Sequence, residues 1–416
     1  MSLASSLLPL ADVDFAEANW LLVVKSLVIF AVILGLVPLI LLLERKLLGR
    51  FQARYGPNRV GPYGLLQPLA DVVKLLSKES YKPEAAVPVL WAIAPALVIL
   101  SATATLAIIP FGDTVDDKVG LYGIDVSIGI LYAFAFGSIS FYGLLLGGWA
   151  SGSKYSFMGG MRSAAQLISY EISQGLALLG VIMMSGSLSL VTIVEQQEQQ
   201  VWFVIPQFVG FIIFMVAGFA ETNRPPFDLP EADAELVSGY NTEYGGMRFG
   251  SYFMAEYMEM IVVSGIASAM FLGGWNLPFG IHTPALLGVV VMLAKIVLLI
   301  CFFIWVRATL PRLRYDQLMS LGWKVLLPLA TLHAEPAAAQ VAPGPGDGIG
   351  ERETTLRRDA QKGEVDLAGQ RSGVEGTRVA ADTESVLVRF PVALHPSAAF
   401  DAFKGLEPLG MQSEEG

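Results

Sequence analysis

Residues 20–43 read WLLVVKSLVIFAVILGLVPLILLL, a run of 24 residues that carries one charge, Lys25. A helix needs about 20 predominantly apolar residues to cross a bilayer core, so this run is long enough to span. Lys25 lies near one end, where its apolar stem lets the ammonium reach the interface. Pro38 marks a bend, because neighbouring helices can satisfy the carbonyl that it frees. The run stops abruptly at Glu44-Arg45-Lys46, and a long charged segment follows. It lacks a basic leader and a small-residue cleavage signal, so it is expected to be retained as a helix.

Working outward, seven further apolar stretches approach the same length: 85–109, 125–149, 165–190, 202–221, 254–275, 284–306 and 318–334. The last is the weakest, being short and interrupted by Lys324 and Pro328. The expected fold is therefore an all-α polytopic membrane protein with about eight transmembrane helices. Composition agrees: 54% of the 416 residues are hydrophobic and 15% charged, with mean hydropathy +0.57, too apolar for an ordinary soluble enzyme. No basic stripe with interleaved aromatics exists, so nucleic acid is not an expected partner. The single cysteine, Cys301, lies in an apolar run and reads as a small buried hydrophobe. One thiol makes neither an intrachain disulfide nor an iron–sulfur site, and no metal site is predicted.

Three parts follow from this reading: an N-terminal segment 1–19, a transmembrane domain 20–334, and an acidic extension 335–416. The extension holds 8 Lys/Arg and 14 Asp/Glu and is rich in Pro and Gly, as in PGPGDG at 344–349. It reads as mostly disordered. Between spans, Lys and Arg concentrate in the odd-numbered connections: eight lie in 44–84, then come Lys154 and Arg162, Arg224 and Arg248, and Arg307, Arg312 and Arg314. The positive-inside rule then places the odd connections on the cytoplasmic side and the N-terminus outside.

The first of these connections, 44–79, reads ERKLLGRFQARYGPNRVGPYGLLQPLADVVKLLSKE. Arg50, Arg54 and Arg59 surround the turn-forming Gly56-Pro57-Asn58. From Tyr63 the pattern becomes that of an amphipathic helix, with Leu65, Leu66, Leu69, Val73 and Leu76 on one face and Asp71, Lys74 and Lys78 on the other. Such a helix suits an interface or another subunit. Asp71 and Lys74, three apart, are spaced for a weak pair. The bland alternative is a basic loop whose arginines only meet lipid phosphates.

The fifth connection is acidic. From Glu221 the chain reads ETNRPPFDLPEADAELVSGYNTEYGGMRFGSYFMAEYMEM, with Glu221, Asp228, Glu231, Asp233, Glu235, Glu243, Glu256 and Glu259 against two arginines. Pro225, Pro226 and Pro230 forbid one continuous helix, and Gly245-Gly246 permits tight backbone geometry. These acids read either as a solvated face or as carboxylates that hold and pass protons at a low-dielectric boundary. Within the spans, Glu171 and Lys295 are the clearest ionisable intrusions. Charge at membrane depth is costly, which makes Glu171 a functional candidate; Lys295 has a stem long enough to reach an interface or a neighbouring acid. The spacings Gly143 to Gly147 and Gly148 to Gly152 suit close helix packing.

The segments 44–79 and 221–246 closely resemble the signatures of the H-type membrane component of bacterial NADH-quinone oxidoreductase, respiratory complex I, and the resemblance extends over about 20–334. It implies a subunit that joins a peripheral redox arm to a membrane arm and forms much of a quinone chamber. It implies that Arg45, Arg50, Arg54, Arg59, Asp71 and Lys74 line or support the quinone-facing junction. Glu171, Glu221, Arg224, Asp228, Glu231, Asp233, Glu235 and Glu243 are implied in the charged quinone-side cavity and its link to a proton pathway. Asp233 stands where the family often has Glu, so its carboxylate has a shorter reach. By the same resemblance the substrate is a quinone, ubiquinone or menaquinone, while NADH oxidation, FMN and iron–sulfur clusters belong to partner subunits. The implied location is the bacterial inner membrane. A secondary ion or solute transporter is the competing class, since buried charges and broken helices also build alternating-access sites.

Overall fold

The computed structural model describes residues 19–115, 119–199, 201–230, 233–278 and 284–341. The N-terminal segment, Glu231 and the extension beyond 341 lie outside the described residues, as does the side chain of Asp233. In hydrocarbon every backbone N–H and C=O needs an internal partner, so apolar runs of this kind become helices. The first is α1 (Asn19–Phe51), whose 33 residues correspond to about 50 Å, longer than a bilayer core of about 30 Å. Its last two turns carry Glu44, Arg45 and Lys46 beyond the apolar run.

Five described helices are long and apolar enough to cross a membrane: α3 (Pro88–Leu106), α4 (Gly129–Ala150), α5 (Lys154–Ser185), α9 (Gly246–Phe271) and α10 (Ala285–Thr309). Shorter helices complete the bundle, namely α2 (Gln67–Ser77), α6 (Leu190–Gln199), α7 (Phe208–Glu221) and α8 (Asp233–Leu236). The final apolar stretch folds as α11 (Tyr315–Leu321), a π-helical turn at Gly322–Leu326, and α12 (Leu327–Val341). It is held to α5 by Tyr170, which donates to the Leu318 carbonyl at 2.8 Å, and by Trp323, which donates to Ser169 at 3.1 Å.

Several boundaries differ from the sequence reading for identifiable reasons. The helix of the first connection begins at Gln67, because Gly61, Tyr63 and Gly64 all take positive φ. Helix α5 starts at Lys154 rather than near 165, so the third connection shrinks to a short turn. Residues 203–207 are turns, leaving α7 only 14 residues. The all-helical expectation also omits a hairpin of β1 (Pro110–Val115) and β2 (Val119–Tyr122), paired antiparallel after α3. The segment is too short and too Gly- and Asp-broken to span, so its backbone pairs with itself.

Helix α9 is the axis of the fold. From Ala255 to Phe271 every residue is buried except the half-buried Glu259. Small residues let its neighbours approach: a Cβ on Gly265 would lie 2.6 Å from Ile109, and one on Gly218 of α7 would lie 2.5 Å from Val263. Of the predicted Gly pairs, Gly143, Gly147 and Gly148 lie on α4 and act likewise, whereas Gly152 lies past its end with φ +70. A Cβ on Gly143 would collide with the Val98 side chain, and one on Gly148 would sit 2.5 Å from the Ser156 carbonyl. Dispersion between closely packed backbones replaces the hydrophobic effect, which lipid cannot supply.

Lys295 reaches neither an interface nor an acid. Its ammonium donates to the carbonyls of Leu272, Gly274 and Asn276 at 2.7, 2.7 and 2.6 Å and lies 4.4 Å from the Trp202 ring centroid. Three donors thus meet three carbonyls released where α9 ends, a cation at a helix C-terminus. Cys301 is half-buried rather than fully enclosed.

At the opposite end the odd-numbered connections touch one another. Arg248 donates to Ser80 at 2.7 Å, Leu313 N–H to the Pro226 carbonyl at 3.1 Å, and a Cβ on Gly159 would lie 2.5 Å from Tyr240 N. Arg248 also covers the ring of Trp91 at 4.0 Å, and Trp91 stacks on Tyr244 at 5.3 Å. This aromatic stack pins the fifth connection against α3.

Candidate functional site

Two charged clusters occupy this end of the bundle and the space just beneath it. The first centres on Glu44, whose carboxylate is 3% exposed despite its place in a nominally polar segment. Tyr257 of α9 donates to it at 2.6 Å and Arg224 at 3.3 Å, and Arg307 of α10 donates to the same Oε1 as Arg224. Arg224 lies 4.2 Å over the Tyr257 ring and 3.8 Å from Glu256, which accepts a hydrogen bond from Tyr240 at 3.0 Å. Two carboxylates therefore balance two guanidinium groups, three of the four charges being buried and Arg307 36% exposed. Desolvating the three buried charges costs several kcal/mol per ion, a cost recovered only while every partner is present.

Arg224 reaches this position through its own connection. The chain leaves α7 at Glu221, turns at Asn223 with φ +50, and continues through a cis Pro225-Pro226 bond. Gln166 of α5 holds the turn by donating to the Ala220 and Phe227 carbonyls at 2.7 and 2.8 Å.

The second cluster lines a cavity between α3, α4, α5, α7 and α9, with about 810 Å³ of non-atom space including its open side. Three carboxylates face it, each held by one neutral donor. Ser138 donates to Glu171 at 2.8 Å, Gln174 to Glu221 at 2.7 Å and Ser140 to Glu259 at 2.5 Å. Glu221 interacts electrostatically with both Glu171 and Glu259. Among the described residues no cation lines the cavity. A proton gained or lost by Glu221 therefore changes the field at the other two, as coupled sites require.

The clusters are joined twice. Glu221 and Arg224 are three residues apart, as are Glu256 and Glu259, and each pair places one member in each cluster. On α9 that spacing keeps both carboxylates near one face.

A family model described as NADH dehydrogenase matches residues 24–334. The chain belongs to that family. Similar proteins named as H subunits of NADH-quinone oxidoreductase include one, numbered 2, from Syntrophobacter fumaroxidans, 50% identical over 78% of this chain and 98% of its own length. Those of Rhodospirillum rubrum and Thermomicrobium roseum are 49% and 48% identical, each over 74% of this chain and over 90% and 92% of their own lengths. The family match covers the helical bundle and stops where the acidic extension begins. Family membership and the apolar helices together make this a membrane-embedded chain.

The residues expected from the resemblance to this NADH dehydrogenase family divide in the structure. Arg224 joins the Glu44 cluster, and Glu171 and Glu221 share the cavity. Arg45 pairs with Asp71 at 2.6 Å, tying α2 to α1, whereas Lys74 lies 4.0 Å from Asp71 at the edge of pairing distance. Arg50, Arg54 and Arg59 are exposed around the Gly56 turn, and Arg54 donates to Gln52. They meet neither cluster. Leu65, Leu66, Leu69, Val73 and Leu76 are all more than half exposed, so the apolar side of α2 faces away from the bundle.

Asp228 and Glu243 are half-buried in the fifth connection. Glu235 forms a 2.6 Å ion pair with Arg162 of α5. The hydrogen bond and charge of Arg162 hold the Glu235 carboxyl below its ordinary value. Glu231 falls outside the described residues, as does the side chain of Asp233.

Five residues that the family resemblance did not assign complete the site: Glu44, Glu256, Tyr257, Glu259 and Arg307. The signal for Glu259 was available, since it lies inside an apolar helix one turn beyond another acid. Glu44 and Arg307 were hidden as boundary residues, counted with the loops because each ends an apolar run.

Proposed function

We propose that the chain is the junction subunit of a proton-translocating NADH:quinone oxidoreductase. It joins the peripheral redox arm to the membrane arm, forms much of the quinone chamber and couples quinone reduction to proton movement. Catalysis requires the assembled complex. NADH oxidation, FMN and the iron–sulfur clusters belong to partner subunits, and this chain supplies binding, proton movement and coupling toward a quinone. Its setting is the bacterial inner membrane, with the odd-numbered connections cytoplasmic.

The observation that carries this reading is the double linkage between the ion-pair cluster and the acid cavity. Reduction of a quinone near the charged end creates negative charge that must be neutralised by protons. Glu256 of the ion-pair cluster lies one helical turn from Glu259, whose carboxyl is coupled to Glu221, and Glu221 in turn is coupled to Glu171. The first-connection arginines and Asp71 support the quinone-facing junction. Glu231, Asp233, Glu235 and Glu243 extend the acidic path.

The test replaces Glu221 and Glu231 together by Gln in the assembled complex. Quinone reduction or proton pumping should fall while the flavin and iron–sulfur signals persist. Normal coupled turnover would overturn the reading, as would isolation of the chain as an autonomous, transport-competent protein without redox partners.

A further inference from the structure

The carboxylate of Glu256 is gripped from both ends of the fifth connection. Its Oε2 faces Arg224, near the start of the connection, at 3.8 Å, which is beyond hydrogen-bond distance. Its Oε1 accepts a 3.0 Å hydrogen bond from the hydroxyl of Tyr240, near the far end. In the same cluster Glu44 holds Arg224 and Tyr257 at 3.3 and 2.6 Å. Glu256 stands further from its cation, and the bond to Tyr240 decides which edge of the carboxylate turns toward the guanidinium.

Local geometry turns that hydroxyl inward. Val237 takes φ +67 and Gly239 φ +58, and the left-handed region is costly for a β-branched residue. Ser238 donates to Asn241 at 2.6 Å across the turn, and the Tyr240 backbone settles on the bare surface of α5 at Gly159. The Tyr240 ring is fully buried and meets Tyr252 edge-on at 5.2 Å, while Tyr252 meets Tyr244 at 5.0 Å. These three tyrosines belong with Trp91 to a small core apart from the main one. Tyr252 lies one turn before Glu256 on α9, so one helix carries both the ring that seats Tyr240 and the carboxylate that it bonds. Packing alone needs only the ring; the hydroxyl is what reaches the carboxylate.

We propose that Tyr240 is a positioning residue for Glu256, its hydroxyl holding Oε1 so that Oε2 stays turned to Arg224. The inference rests on the coupling role proposed above, because Glu256 is the carboxylate of the ion-pair cluster that lies one helical turn from Glu259. Asp228 and Glu235 lie on the stretch between the two grips, so a rearrangement of that stretch reaches Glu256 through Tyr240 as well as through Arg224. Tyr240 acts through the carboxylate and not on the quinone.

The test is a double-mutant cycle of Tyr240→Phe and Glu256→Asp in the purified complex containing this chain, read as quinone reduction and proton pumping. The first variant keeps the ring against Tyr252; the second keeps the charge but draws the carboxylate back from the hydroxyl. Each alone should lower kcat several-fold with the KM for quinone unchanged, and the double variant should be no slower than Glu256→Asp alone. Full turnover in Tyr240→Phe beside an impaired Glu256→Asp would overturn the proposal and leave the coupling role standing, whereas full turnover in both would overturn the two together. Losses that multiply in the double variant would put Tyr240 on another path, and a raised KM with unchanged kcat would make it part of the quinone chamber; either result overturns the proposal. If Tyr240→Phe fails to assemble, 3-fluorotyrosine placed at position 240 alters the hydroxyl and nearly keeps the shape. It should displace the pH profile of kcat, and an unmoved profile would overturn the proposal.

Discussion

Tyr257 of α9 donates a 2.6 Å hydrogen bond to Glu44 of α1, 213 residues earlier in the chain, beneath the guanidinium of Arg224. The carboxylate is the shared partner of two arginines, so its charge matters more than its shape. Glu44→Gln should destabilise the folded subunit by roughly 3–5 kcal/mol, the usual consequence of leaving a buried ion uncompensated. Arg307→Gln should cost less, because its side chain is 36% exposed. Combining the two should recover part of the loss. Thermal melting of the purified complex checks the order of the three variants.

Glu259→Gln should lower coupled turnover several-fold and leave the redox centres of the partner subunits reducible by NADH. Ser140→Ala, which only removes a donor to Glu259, should have a smaller effect, on the order of 1 kcal/mol. Equal pumping stoichiometry in Glu259→Gln and the parent would remove Glu259 from the pathway.

The Lys295 ammonium satisfies three carbonyls where α9 ends. Lys295→Met should therefore destabilise the outer end of α9 by about 1–3 kcal/mol, and Lys295→Arg should fail to rescue it. A flat guanidinium does not project three N–H bonds toward one converging set of oxygens. Faster proteolysis in the segment after Phe271, with unchanged cleavage in the first connection, is the expected pattern.

Gly148→Ala on α4 should cost about 1–3 kcal/mol, since its Cβ would sit 2.5 Å from the Ser156 carbonyl. Gly186→Ala meets nothing within 4 Å, but its φ of +65 should still cost about 1 kcal/mol. Chemical denaturation curves separate a packing clash at the first site from backbone strain at the second.

Arg162 holds the Glu235 carboxyl below its unfolded value, so the pair contributes stability above the ordinary carboxylate range and loses it as pH falls through the lowered value. Glu235 is 49% exposed, which limits the contribution to under about 1 kcal/mol. Amide exchange in 235–245 should stay constant from neutral pH down to about 5, after correction for the intrinsic rate, and rise only below the unfolded carboxylate value near about 4.3. Arg162→Gln should remove that acid-dependent step.

Hydropathy made the apolar helices legible because low-dielectric surroundings leave a polar backbone few alternatives. The amphipathic α2 was legible too, although Gly61, Tyr63 and Gly64 delayed its start. The acids of the cavity were visible in part: Glu171 stood alone in an apolar run, while Glu259 was absorbed into a count of fifth-connection acids. Glu44 was the hardest to place. Nothing local distinguishes a carboxylate that ends a span in water from one that other elements fold over, and its partners lie 180, 213 and 263 residues away. Lys295 failed for the same reason in reverse, since its partners are backbone atoms without a sequence signature.

The Glu44 cluster also has a fixed order of completion along the chain. Its acid is made first and its last cation, Arg307, enters only with α10, after all but the final apolar stretch has been synthesised. Arg224 balances Glu44 before then, but once Glu256 has been made the cluster holds one carboxylate in excess until Arg307 arrives. The closing of that contact is thus a completion mark: a chain truncated before Arg307 should keep its earlier spans yet leave the cluster of Glu44, Arg224 and Glu256 one cation short.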